Sequence, residues 1–257
     1  MREIITKGTI CLDDSYGLTY HLATIEYTER EDESYNYVIS PNYSVMALLG
    51  APLFQGIPGI DLNLRLDHYV RDNITPVFVS ERSPQKNREN LVECLDECNM
   101  DYLNPLEWLI RTKSKYAGDP LYVCRYEEPR TVRMSSIGTL GNRSSHICRK
   151  MLENICAGND IESVEISVSN ENRSSIYRML MVLYSKDKVH LDRTRIEGIR
   201  NGAGHGNYKG RARIEIDPLK LAEITEAYRA NKISGNEAAK KLGISRSTFL
   251  RRIKTVY

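Results

Sequence analysis

No apolar run in this sequence approaches the ~20 residues that a membrane-crossing helix needs. The longest, VMALLGAPLF (residues 45–54), is broken by a glycine and a proline. The opening stretch MREIITKGTICLDD has none of the apolar core of a secretory signal. A cytoplasmic protein with no membrane partner is therefore expected. Cysteine is sparse: Cys11, Cys94, Cys98, Cys124, Cys148 and Cys156 are too few to frame a chain of 257 residues with disulfides. Cys94 and Cys98, in CLDEC, stand one helical turn apart, a spacing that suits a metal ion. No second pair or nearby histidine completes four ligands. Buried free thiols are the expected state, and no metal or other cofactor is expected. The glycines of GAPLFQGIPG are not followed by the lysine of a phosphate loop, so nucleotide binding gains no support. Internal repeats are absent.

What is present is an ordinary soluble composition, 41% hydrophobic and 27% charged, in a chain long enough for one large domain or two to three smaller ones. The net charge of +2 conceals an asymmetry. Residues 193–257 hold 15 Lys/Arg against 6 Asp/Glu, a charge of +9, which leaves −7 on residues 1–192. A basic tail on an acidic body points to a polyanionic partner for the tail.

Within that tail, IDPLKLAEITEAYRANKISGNEAAKKLGISRSTFLRRIK reads as three helices. Asp217 before Pro218 is an N-cap followed by proline at the first helical position, and Leu221, Ile224 and Tyr228 recur at helical spacing. Ser234 and Glu237 form a capping box for a second helix that turns Ala238, Ala239 and Leu242 inward and stops at Gly243. Ser245 caps a third helix whose Phe249, Leu250 and Ile253 face the same core. The tight KKLGIS corner is the helix-turn-helix arrangement. It leaves Ser245, Arg246, Ser247, Thr248, Arg251, Arg252 and Lys254 as the expected DNA contacts, the first ones toward base edges and the cations toward phosphate or guanine. A small bundle used for protein contacts is the plainer alternative.

The stretch ISGNEAAKKLGISRSTFLRRIK resembles the carboxy-terminal DNA-binding domain of the serine recombinases, the resolvases and DNA invertases. GIRNGAGHGNYKGRARIEID is similar to that family's junction between a long helix and a minor-groove arm. The resemblance assigns the arm to Lys209, Gly210, Arg211 and Arg213. Glycine lets a backbone lie deep in a narrow groove whose potential attracts arginine. Upstream, SSIYRMLMVLYSKDKVHLDRTRIEGI predicts a helix of about 26 residues with a stripe at Ile176, Met179, Leu180 and Leu183. It resembles the family's dimerisation helix; the pattern also fits a helix packed within one subunit. GTLGNRSSHICRKMLENICAGNDIESVEISV reads as helix, turn and alternating strand, the family's order after its DRLGR motif. Here Gly138, Thr139 and Asn142 stand where the family has its aspartate and two arginines. None of them can hold positive charge on a phosphate under attack.

The nearest match to the family's nucleophile strand is NYVISPN, with Ser40 as nominal nucleophile and Val38 where arginine is needed. Ser40 before Pro41 reads more simply as a turn residue after a strand. Arg88 is a nominal second candidate, and a solvent-facing arginine at a helix start is the simpler account. No catalytic residue is therefore expected. VFVSERSPQKNRENLVECLDECNMDYLNPLEWLIRT, after short strands between Leu18 and Ile39, resembles the amino-terminal subdomain of HipA-type toxin kinases: a strand, a proline corner and two short helices.

The expected fold is an α+β (or α/β) amino-terminal and middle region, then a long helix, a basic arm and an all-α helix-turn-helix domain. The expected segments are 1–130, an α+β domain of unknown role; 131–200, a degenerate recombinase-like region with the long helix; 201–216, the arm; and 217–257, the DNA-binding domain. The expected partners are double-stranded DNA, a second copy or higher oligomer through the long helix, and a protein for the amino-terminal half. Three functions remain open. The first is a catalytically degenerate, sequence-specific DNA-binding regulator or architectural factor. The second is an active serine site-specific recombinase using Ser40 with Arg88, Arg133 or Arg143. The third is a toxin–antitoxin-associated factor.

Overall fold

The computed structural model describes residues 3–204, 214, 216–230 and 232–254. The chain divides into two compact units, Met1–Asp192 and Arg193–Tyr257, at the position where the charge changes sign.

In the first unit, β1 (Glu3–Asp13) and β2 (Thr19–Arg30) form a long hairpin, followed by β3 (Tyr35–Pro41), the single turn α1 (Tyr43–Met46) and β4 (Tyr69–Asp72). Three short helices come next, α2 (Val77–Ser80), α3 (Leu91–Glu97) and α4 (Pro105–Thr112), and then β5 (Tyr122–Arg125). The five strands make one antiparallel sheet in the order β4-β3-β2-β1-β5. The region is mixed α+β, and the α/β alternative falls because a doubly wound fold needs parallel strands. Ser40 is not a turn residue: it is the penultimate residue of β3, paired with Thr24 of β2. VFVS is helical rather than extended. Pro76 precedes the turn, and Phe78 and Val79 point into the core while Val77 faces solvent.

β6 (Thr131–Arg133) follows, then α5 (Ser144–Cys156), β7 (Asp160–Glu162) and β8 (Ser167–Val168). The expected single alternating strand after α5 is instead two short strands. β7 and β8 run antiparallel, joined through the Ser163 N–H to the Ile166 carbonyl at 2.9 Å, and β6 pairs parallel with β7. α5 buries Cys148, Met151, Leu152, Ile155 and Cys156, one face at 3.6-residue periodicity.

The long helix α6 (Arg173–Gly204) has 32 residues and continues into the glycine-rich stretch. Residues 201–204, expected as the start of a loose arm, are helical. Its buried stripe is Tyr177, Leu180 and Tyr184, with Ile176 partly covered, whereas Met179 and Leu183 are exposed. The Tyr20 hydroxyl donates to Asp14 Oδ2 at 3.0 Å and so accepts from the Tyr177 hydroxyl at 2.6 Å. That buried chain selects which face of α6 turns inward. Sheet, α5 and the first half of α6 share a single core, so no boundary lies at residue 130.

The second unit holds α7 (Pro218–Arg229), α8 (Gly235–Lys241) and α9 (Arg246–Lys254). Asp217 caps α7 through Leu219 N, and Ser234 and Glu237 complete the capping box on α8. After α8 the chain turns through a Schellman motif. Ile244 N reaches the Ala239 carbonyl at 3.0 Å, Gly243 N reaches the Lys240 carbonyl at 3.2 Å, and Gly243 takes φ +65°. Ile224, Ala238, Ala239 and Phe249 form the core, closed by an edge-on Tyr228–Phe249 contact at 5.4 Å.

Candidate functional site

α9 owes its position to the Schellman corner and to Phe249, which is 0% exposed and anchors the helix. The Ser245 hydroxyl accepts from Thr248 N at 3.2 Å and contacts the Ser247 and Thr248 hydroxyls, so it caps α9 while itself exposed. Arg246, Ser247 and Arg251 are exposed, and Thr248 is half-buried. Arg246 crosses the start of α8: a Cβ added to Gly235 would lie 3.5 Å from its Nε. Arg252 is half-buried and donates to the Ile214 carbonyl at 2.9 Å. Arg246 and Ser247 thus lie beside the amino-terminal cap of α9, and Arg251 follows more than a turn further along the same short helix. Lys209, Gly210, Arg211 and Arg213 lie outside the described residues, as does the Lys254 side chain, although its backbone closes α9.

In the first unit, Ser40 Oγ lies 2.8 Å from His68 Nδ1 in an exposed position, a serine–histidine contact that sequence reasoning missed. Two of the three cations that the recombinase reading sets beside Ser40 have other partners. Arg88 donates to Asn90 at 2.6 Å at the start of α3, and Arg133 pairs with Glu162 at 2.9 Å. Gly138 and Thr139 occupy a short 3-10 turn, Ile137–Leu140, and Arg143 stands at the N-cap of α5. Thr139, Asn142, Arg143, His146 and Lys150 line an open cleft of about 560 Å³.

All six cysteines are free, and Cys94, Cys98 and Cys124 are half-buried rather than buried. Among the described residues, one group has metal-ligand composition: Cys11, His21 and Cys124, whose ligand atoms lie within 4.8 Å of one another. β1, between β2 and β5, brings them together. Cys11 faces His21 on one side, and on the other Cys124 sits diagonally across, with the two sulfurs 2.9 Å apart. A bulge makes the first pairing possible: Ile10 opposes Ala23 but Cys11 opposes His21, so Leu22 is the extra residue. The hydrogen bond from Cys11 pulls the Cys124 thiol below its ordinary value, with help from the Lys113 ammonium. The same hydrogen bond, with burial, pushes Cys11 up, and burial lowers His21 against the opposing pull of Glu127.

Among the described residues, no helix is long and apolar enough to cross a membrane. No protein-family model and no curated protein matches the chain.

Proposed function

We propose that this chain is a sequence-specific DNA-binding protein related to the serine recombinases, catalytically degenerate, acting as a regulator or architectural factor. The single observation that carries the reading is α9. This short helix is held by a Schellman corner and presents Arg246, Ser247 and Arg251 to solvent from a unit of charge +9. In this reading α7–α9 are a helix-turn-helix domain, α9 enters the major groove, and Lys209, Gly210, Arg211 and Arg213 follow the adjacent minor groove. Arg252 and Lys254 supply backbone contacts.

The reading includes a dimer through α6. Met179, Val182, Leu183 and Val189 are exposed, and the steps of three from Met179 to Val182 and seven from Val182 to Val189 suit a helix seam between two copies. The acidic first unit carries the sensing or partner-binding role.

Gly138, Thr139 and Asn142 support the loss of phosphoryl chemistry, since none can place charge on a phosphate. The rival, an active recombinase, draws on the Ser40–His68 contact, which has nucleophile–base geometry. One experiment separates them: DNA selected from random fragments by the full-length protein is returned to it in supercoiled form. Selection without cleavage is the expected result. A covalent serine–DNA adduct that Ser40→Ala abolishes overturns the degenerate reading.

A further inference from the structure

We propose that Cys11, His21 and Cys124 form a zinc site on the sheet, independent of the DNA-binding surface. Two thiolates and an imidazole are the donor set that selects Zn²⁺ over the hard divalent cations. Each donor comes from a different neighbouring strand: Cys11 from β1, His21 from β2 and Cys124 from β5. The bulge at Leu22 is what sets His21 opposite Cys11; a regular ladder would put Leu22 there.

The two sulfurs are 2.9 Å apart without a disulfide between them. Tetrahedral zinc with Zn–S near 2.3 Å holds two sulfurs about 3.8 Å apart. The ion therefore fits after the sulfurs open by less than an ångström, within the 4.8 Å spread of the three donors. Cys11 is 0% exposed, while Cys124 and His21 are half-buried and border a cleft of about 430 Å³. Arg111, Lys113, Arg125 and Glu127 line the same cleft. Three protein donors leave the fourth coordination position to face this cleft, the arrangement of zinc sites that bind water or an exogenous ligand. The surrounding cations suit a small anion there.

The test uses the reduced full-length chain and Zn²⁺ or Co²⁺ as probe. Co²⁺ should give thiolate charge-transfer absorption, Zn²⁺ should bleach it, and dialysed protein should keep about one zinc per chain. Cys124→Ser and His21→Asn should each weaken zinc binding more than about 100-fold with far-ultraviolet dichroism unchanged. The Cys94→Ser/Cys98→Ser variant should bind as the parent does. A parent chain with no cobalt–thiolate band overturns the site whatever the variants do. So does a band lost in the Cys94/Cys98 variant but kept in Cys124→Ser, or a parent isolated without zinc and with a Cys11–Cys124 disulfide.

Discussion

The guanidinium of Arg173 meets the carboxylate of Asp160 at 2.7 Å, and the same side chain closes the carboxy-terminal end of α5. It donates to the carbonyls of Asn159 at 2.8 Å, Ile155 at 3.2 Å and Gly158 at 3.2 Å, and to Asn170 Oδ1 at 3.1 Å. Carbonyls at a helix end have no intrahelical donor, and they carry the negative end of the helix dipole. Arg173 is 1% exposed, so water cannot replace it. Arg173→Met should lower the stability of the first unit by about 1–3 kcal/mol, read from urea unfolding, because it leaves buried carbonyls without their donor. A loss of under about 1 kcal/mol would mean that these bonds only exchange for solvent.

The turn between α8 and α9 rests on one backbone conformation. Gly243 sits at φ +65° with nothing near a would-be Cβ, so Gly243→Ala adds backbone strain and no clash. The expected cost is about 1–2 kcal/mol in thermal unfolding of the second unit. An unchanged melting temperature would show that the corner can close another way.

Acid should act on the second unit through Glu237. Its carboxylate accepts from Ser234 N at 2.8 Å, and this bond, ahead of the Ser234 side chain and Lys241, holds it below its ordinary 4.5. A depressed carboxyl contributes stability that is complete above the unfolded value and disappears as pH falls through the folded one. The second unit should therefore hold its melting temperature above pH 4.5 and lose part of it below. Glu237→Gln, which can still accept the bond, should flatten that acid limb.

For DNA, Arg246→Ala or Arg251→Ala should weaken binding to the selected site by about 1–3 kcal/mol while sparing random sequence. Lys209→Ala should weaken both alike and reduce the salt dependence of binding. Equal losses on both DNAs for all three substitutions would remove the base-reading role of α9.

Val182→Glu combined with Val189→Glu should leave the first unit folded, since both positions are exposed, and convert a dimer to a monomer in sedimentation. A monomeric parent would end the seam argument.

Sequence reading succeeded where the determinants are local. Asp217-Pro218, the Ser234/Glu237 box and Gly243 fix α7, the α8 start and the turn within a few residues each, and all three are found in place. α5 was equally legible as a helix ending at the AGND turn. The face of α6 was not, because Tyr177 and Tyr184 carry hydroxyls and count weakly as apolar. Their inward turn depends on Tyr20, distant in sequence. VFVS has strand composition, yet the packing of Phe78 and Val79 coils it into a helical turn. The Cys11–His21–Cys124 group leaves no short-spacing signature in the sequence, since its two cysteines stand 113 residues apart. Only the pairing of β1 with β5 unites them. The Cys94–Cys98 spacing, by contrast, is that of a ligand pair, yet among the described residues no third ligand joins it.

The bulge at Leu22 makes backbone register, rather than side-chain identity, the setting that decides which way residues 19–21 look. Straightening the bulge with Leu22 kept in the ladder would turn His21 to the opposite side of the sheet together with Tyr20, breaking its buried link to Tyr177, whereas deleting Leu22 would leave His21 opposite Cys11. Point changes at Leu22 alter only how well the site packs.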